Sequence, residues 1–127
     1  MKKFIYALTV LLMTAALSSC DGEIKNVTTK NLVGTWDLVS ETTVFTDGTK
    51  TTTEKSGESI IIGENTYTVV SGNRQTEYSF EFRDPDFIIN GTNLYDLVSV
   101  TRKEMTLRSN LTLGILISDQ TYTYKKR

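Results

Sequence analysis

The sequence predicts an all-β domain, a small antiparallel meander of short strands that closes into a barrel or a sandwich. Residues 20–127 are rich in threonine, valine, isoleucine and aromatic residues, a composition typical of strands. Glycine, asparagine and aspartate recur at short intervals between these stretches, as they do in tight turns. Tight hairpin turns cannot build a parallel sheet, and closing an antiparallel sheet removes its exposed edges.

The first twenty residues have the organisation of an export signal. Two lysines follow Met1, an apolar stretch runs from Phe4 to Leu17, and Ser18-Ser19-Cys20 comes next. The apolar stretch is shorter than the ~20 helical residues that a membrane span needs. With Leu17 three places before the cysteine, the segment resembles a bacterial lipoprotein signal. The resemblance implies that residues 1–19 are removed and that Cys20 carries a diacylglycerol, with a further acyl chain such as palmitate on the new amino terminus.

The same resemblance implies a lipid-anchored protein of the bacterial cell envelope, with the membrane as its partner through Cys20. Asp21 and Glu23 resemble the export signals that send Bacteroidota lipoproteins to the cell surface, so we expect the outer membrane. In other bacteria an aspartate next to the cysteine retains lipoproteins at the inner membrane. The alternatives are a plain secreted protein with a free thiol and an uncleaved membrane segment.

Composition excludes several kinds of chemistry. The chain has no histidine, which removes the Ser-His-Asp triad and the commonest zinc ligand. Its single cysteine, once lipidated, cannot form a disulfide within the chain or a CxxC metal site. The only basic run is residues 125–127, and nucleic-acid binding requires a clustered basic face. We therefore expect a protein that is not an enzyme, has no cofactor or metal and binds no nucleic acid.

Residues 20–27 are predicted to form a lipidated tether, and residues 28–127 are predicted to form the domain. Thr28 or Thr29 is expected to cap a single helical turn through residues 31–33, which Gly34 ends. The turn signals then divide the chain into eight or nine strands. These are predicted at 35–45, 49–55, 59–62, 66–70, around residues 77–83, 87–90, 94–100, 105–109 and 115–125. The Thr-rich second strand is expected to lie at an edge or to be solvated on both faces.

Two of the strands show the period of two that a half-buried strand requires. In the first strand, one face is predicted to carry Trp36, Leu38, Ser40, Thr42 and Val44. In the fifth strand, Tyr78, Phe80 and Phe82 share one face, and charged residues occupy the other. Tyr122 and Tyr124 also share a face, which could line a barrel or lie at the surface.

Three segments of the domain carry a family resemblance. They are the L-x-G-T-W sequence of residues 32–36, the phrase at residues 97–107 and the closing Tyr122-Thr123-Tyr124-Lys125. With them, residues 28–127 resemble the lipocalin-like domains of Bacteroidota lipoproteins. The resemblance implies a lipocalin-like β-barrel in which Gly34 and Trp36 form a structural motif. The tryptophan would close one end of the barrel beneath a basic side chain from a late strand, with Arg108 or Arg102 as that side chain.

Two functions remain open on the sequence alone. A small barrel can hold one apolar pocket, which implies binding of a small hydrophobic ligand. The candidate ligand-binding side chains are Leu38, Tyr78, Phe80, Phe82, Leu113 and Ile115. Alternatively, a filled barrel could serve as an interaction module that docks on another envelope protein. The segment 111–117 is apolar on both faces of any strand, so it could supply core, ligand lining or a docking face.

Overall fold

A computed structural model describes residues 22–111 and 114–127, in which every strand is antiparallel to the strands that it contacts. Within these residues, one short helix precedes the strands. The elements are α1 (Thr29–Leu32), β1 (Gly34–Phe45), β2 (Lys50–Glu54), β3 (Glu58–Ile62), β4 (Thr66–Ser71), β5 (Arg74–Arg83), β6 (Asp86–Ile89), β7 (Thr92–Val100), β8 (Glu104–Ser109) and β9 (Ile117–Lys126). The predicted signal peptide, Cys20 and Leu113 lie outside the described residues.

Pairing of the first strand with the last closes the sheet into a barrel. β1 pairs along one edge with β9, and along its other edge with both β3 and β2. The barrel therefore consists of β1 and β3 to β9, and β2 extends the sheet beside β1. The five residues of β2 are all exposed, which confirms the predicted edge position. The all-β fold and the choice of a closed barrel, which the family resemblance implies, are confirmed.

A bulge in β1 changes which of its side chains face the barrel interior. Leu38 pairs with Tyr124, whereas Glu41, three residues later, pairs with Tyr122, only two residues away on β9. Directly paired residues share a face of the sheet. Glu41 and Thr43 therefore lie on the inward face beyond the bulge. The prediction that Ser40, Thr42 and Val44 share the face of Trp36 is wrong, because a period of two assumes an uninterrupted strand.

The core is centred at the end of the barrel where β1 begins, which we call the closed end. Trp36 and Leu32 are fully buried there. The indole Nε1 of Trp36 donates a hydrogen bond of 2.8 Å to the carbonyl of Leu32, so α1 is held across this end. Phe87 and Met105 are also fully buried in this cluster. The predicted helical turn is confirmed, and the N–H of its N-cap residue Thr28 is bound by the Asn31 side chain.

The basic side chain at the closed end is Lys126. Its Nζ lies 5.4 Å from the centroid of the Trp36 ring, a cation–π contact. The prediction of Arg108 for this role is wrong, because Arg108 lies on the outer face of β8 and pairs instead with Asp119 at 3.1 Å. Arg102 lies exposed in the turn between β7 and β8. Lys126 pairs in register with Trp36, so its side chain emerges beside the indole.

Gly34 makes room for this lysine. A Cβ atom at Gly34 would lie 2.7 Å from Cε of Lys126, and the φ of Gly34 is +143°, a conformation that other residues rarely adopt. The glycine and the tryptophan of the L-x-G-T-W motif therefore both contact Lys126. The absence of a side chain at Gly34 leaves room for the lysine's methylene groups, and the Trp36 ring binds its ammonium group. Both residues have structural roles at the closed end.

The chain joins the barrel at the closed end before the predicted domain boundary at residue 28. The Ile24 N–H donates a hydrogen bond of 2.7 Å to the carbonyl of Val100. Ile24 and Val27 are partly buried against the core. These contacts place the last part of the predicted tether against the barrel.

Candidate ligand-binding site in the mouth half of the barrel

The opposite end of the barrel, which we call the mouth, carries the β1–β2, β4–β5 and β6–β7 turns and the β8–β9 loop. The half of the barrel next to the mouth is not completely filled. An inner cavity of about 200 Å³ lies between β1, β3, β4, β7 and β9. Four tyrosines line it together with Leu38 and Ile60, namely Tyr67, Tyr95, Tyr122 and Tyr124. The interior is therefore divided into a packed closed half and a mouth half with space for a guest.

A side cavity of about 340 Å³ adjoins the inner one. Tyr67, Val69 and Tyr95 line both, so these three side chains form the partition between the cavities. Tyr78 and Ile89 complete much of the side cavity's wall, and the β6–β7 turn borders it. The combined lining is aromatic and aliphatic, with tyrosine hydroxyls as polar groups.

A hydrogen-bonded network borders the inner cavity on the mouth side. The Tyr122 hydroxyl donates to the Gln120 side-chain oxygen at 3.2 Å. The Gln120 amide donates in turn to the Glu41 carboxylate and, at 3.2 Å, to the Thr43 hydroxyl. The second Glu41 oxygen lies 3.2 Å from Nζ of Lys55. The carboxylate of Glu41 thus has both an amide and a cation as partners.

Burial keeps the cavity tyrosines neutral. It is the main cause that raises the pKa of Tyr67, Tyr95 and Tyr124, and it raises the pKa of Tyr122 to about 12, with additions from Tyr95, Glu41 and Glu58. The Tyr67 and Tyr124 hydroxyls also influence each other's pKa, to a smaller extent than burial does. At neutral pH these side chains present uncharged rings and hydroxyls to the cavity.

Glu58 is the one acidic side chain in the lining of the inner cavity. It begins β3, and its charge contributes to the raised pKa of Tyr95, after the larger effect of burial. Within residues 22–111 and 114–127, its carboxylate has neither an ion pair nor a hydrogen bond. Glu41, in contrast, is bound to Lys55. Glu58 is exposed at the edge of the cavity, and it is the carboxylate there that has no protein cation among the described residues as a partner.

The predicted ligand-binding residues fall in different places. Leu38 lines the inner cavity, and Tyr78, 37% exposed, lines the side cavity. Phe80 and Phe82 line neither, since each packs edge-on against Phe87 with ring centroids 5.4 Å apart. Phe80 therefore belongs to the buried core, and Phe82 is partly buried against it.

Ile115 also lies away from both cavities. It is 89% exposed in the β8–β9 loop. The prediction that it lines a ligand pocket is wrong, because β9 begins only at Ile117 and the loop outside the barrel holds the residue. Leu113, its predicted companion, lies outside the described residues.

Sequence reasoning missed most of the cavity wall. Tyr67 and Tyr95 lie on β4 and β7 with no local pattern that marks them as a pair, and Glu58 is the first residue of the otherwise largely apolar strand β3. The alternation of Tyr122 and Tyr124 is the sequence pattern that indicates part of the cavity wall. Their common face is the barrel interior, because they pair with the buried Leu107 and Met105.

The fold and the site thus define a small closed antiparallel β-barrel with a tyrosine-lined cavity. Comparison adds little to this description, since no family model and no curated protein matches the chain. A solved structure from Nostoc punctiforme, a protein of unknown function from the DUF3598 family, is similar with a TM-score of 0.45 and 8% identity. The match covers 83% of this chain and 51% of that one, so the chain spans about half of its length.

Two further properties concern the described part of the chain. No helix in it is long and apolar enough to cross a membrane. It also contains no group of three or more histidine, cysteine, aspartate or glutamate side chains that could hold a metal ion.

Proposed function

We propose that this chain is a lipid-anchored envelope lipoprotein whose barrel binds a small ligand with an apolar or aromatic body. The observation that carries the proposal is the tyrosine-lined space in the mouth half, beside a closed half that Trp36, Phe87 and Met105 fill. Eight-stranded barrels either fill their interior with side chains or leave room for one small guest. Two adjoining cavities of about 200 and 340 Å³ suit a compact molecule, because ligand pockets usually measure roughly 300–1,000 Å³.

The position at which the chain enters the barrel supports one orientation of the barrel relative to the membrane. Ile24 is bonded to Val100 at the closed end, and Cys20 precedes Gly22, the first described residue, by at most about 7 Å of extended chain. A lipid on Cys20 would therefore hold the closed end near the membrane. The mouth would face away from that surface, open to ligands that arrive from the aqueous side.

Ligand binding is tested by thermal unfolding against a panel of small apolar acids, alcohols and amines. A compound that binds only the folded barrel stabilises it by about 2.7 kcal/mol at a hundred times its Kd, which raises Tm by roughly 10 °C. Val69→Phe should abolish the shift by filling space that both cavities share. Val70→Phe is the control, since its side chain lies on the opposite face of β4. Indifference of the unmodified barrel to the whole panel would contradict the proposal.

A second candidate function is docking on another envelope protein through the β8–β9 loop. Leu111, Ile115 and Leu116 are 54%, 89% and 68% exposed, and clustered exposed apolar side chains mark interaction surfaces. The loop is anchored to the barrel, because the Thr46 N–H donates a hydrogen bond of 2.9 Å to the Leu116 carbonyl. It lies at the mouth, at the opposite end from Ile24.

This second function makes its own prediction. Leu116→Asp should remove an envelope protein that co-purifies with the unmodified chain, because a charge on the docking face cannot be desolvated without a partner. Circular dichroism and Tm should stay unchanged, since Leu116 is exposed. Co-purification that survives the substitution would rule out this loop as the docking face.

A further inference from the structure

We propose that the ligand of this barrel is an organic cation, a primary or secondary amine carried on an apolar or aromatic body, with Glu58 as its counter-ion. The inference rests on the proposed function, since it names the chemistry of the guest in the same cavity. We propose a cation rather than a purely hydrophobic ligand because the cavity lining combines electron-rich aromatic rings with one carboxylate that has no protein cation as a partner in the described part of the chain.

The two carboxylates near the cavity differ in their partners. Glu41 is neutralised by Lys55 at 3.2 Å and bound by Gln120, so it has little capacity left for a guest. Glu58 lines the inner cavity itself and has no ion pair or hydrogen bond within the described ranges, 22–111 and 114–127. Glu58 is exposed, so an ammonium group at this position would replace water and gain a charge-assisted hydrogen bond without breaking one within the described part of the protein.

The aromatic lining adds a second attraction for a cation. Tyr95 and Tyr122 line the inner cavity with ring centroids 5.9 Å apart and planes at 88°, so the two rings form adjacent walls. Aromatic walls around a small cavity are the arrangement that recognises ammonium groups through the negative faces of the rings. Because the raised pKa values keep the hydroxyls protonated, these rings remain neutral hydrogen-bonding partners rather than competing anions.

The same features disfavour an anionic guest. A fatty acid or another carboxylate would bring its charge towards Glu58, and none of the described side chains that line the inner cavity is a cation that could compensate it. Lys55 is already paired with Glu41. Lys50 and Arg74, which follow turns at the mouth, are exposed and line neither cavity. The cavity therefore selects against the acid and for the amine when the two share one apolar body.

Three probes with a common phenylbutyl body test this selection: 4-phenylbutylamine, 4-phenylbutan-1-ol and 4-phenylbutanoic acid. Binding is measured by calorimetry and by NMR shifts of the Tyr95 and Tyr122 ring protons. We expect the amine to bind about tenfold more tightly than the alcohol, and the acid to bind most weakly. Glu58→Gln should remove the amine's advantage and leave the affinity for the alcohol unchanged. Glu54→Gln, on the exposed strand β2, should preserve the advantage.

The outcomes distinguish ligand binding in the cavity from a preference for a cationic ligand. If none of the three probes shifts the cavity resonances, ligand binding in this cavity is contradicted, and the inference fails with it. If the alcohol or the acid binds as tightly as the amine, the cavity function stands and the cationic ligand is wrong. An amine preference that persists in Glu58→Gln would overturn the role of Glu58 as counter-ion.

Discussion

Replacing Trp36 by alanine is expected to lower the free energy of unfolding by about 3–5 kcal/mol. Trp36 is 0% exposed, and its removal would leave a large void between α1 and the strands. The Leu32 carbonyl would also lose the indole N–H that donates to it at 2.8 Å. Since the free energy of unfolding of small domains is about 5–15 kcal/mol, this one substitution is expected to remove a large part of it. Urea unfolding followed by circular dichroism measures it, because the variant lacks the chain's only tryptophan.

Two variants make the result specific to the closed end. Trp36→Phe keeps most of the apolar volume but leaves the Leu32 carbonyl without its donor, so a smaller loss of about 1–3 kcal/mol is expected. Val98→Ala, at a side chain that is 41% exposed, should change stability by no more than about 0.5 kcal/mol. A Trp36→Ala loss as small as that of Val98→Ala would show that the indole does not hold the closed end together.

The strand pattern could be predicted because it depends on neighbours in sequence. Alternation in the Tyr78–Phe82 segment and the Asp47-Gly48 and Asn90-Gly91 turns locate β5 and two hairpins, and these elements are present. The inward face of β1 could not be followed past Leu38, because a bulge shifts its register against β9. The bulge depends on how two strands distant in sequence fit together, and local composition carries no signal for it.

The identity of the basic side chain at the closed end also depends on contacts between strands that are distant in sequence. A basic residue on a late strand was predicted, and Lys126 fills that role where Arg108 was expected. The choice between them depends on pairing across the barrel seam, which sets Lys126 opposite Trp36. Lys126 nevertheless continues the alternation of Tyr122 and Tyr124, so this one pattern points to both the cation and part of the cavity wall.

The candidate site was the least predictable feature, because its wall is assembled from separate strands. Tyr67 belongs to β4, Tyr95 to β7 and Tyr122 to β9, and only barrel closure brings them around one cavity. Hydrophobicity favoured Phe80 and Phe82, yet large apolar side chains are the ones that a small barrel uses to fill itself. The cavity is instead lined by tyrosines, whose hydroxyls tolerate a partly hydrated space.

Replacing Cys20 by serine is expected to move the whole protein from the membrane fraction to the soluble fraction. Serine cannot form the thioether that the lipoprotein resemblance implies, and two or more acyl chains at about 0.8 kcal/mol per buried CH₂ make the difference between firm anchoring and none. Ser19→Ala is the matched control, because alanine is a usual residue before the lipidated cysteine. Fractionation of membranes washed with high salt gives the readout, and continued partitioning of Cys20→Ser would contradict the anchor.

The anchor also predicts which end of the barrel faces the membrane, and this orientation can be measured with the same protein. Because Cys20 is the only cysteine and would carry lipid, a cysteine introduced elsewhere supplies the single free thiol for a fluorescent label. Asn65→Cys places the label in the β3–β4 turn at the closed end, and Asp47→Cys places it in the β1–β2 turn at the mouth. Quenchers on lipid head groups should dim the first label more strongly than the second. Equal quenching would mean that the anchored barrel does not hold its mouth away from the membrane.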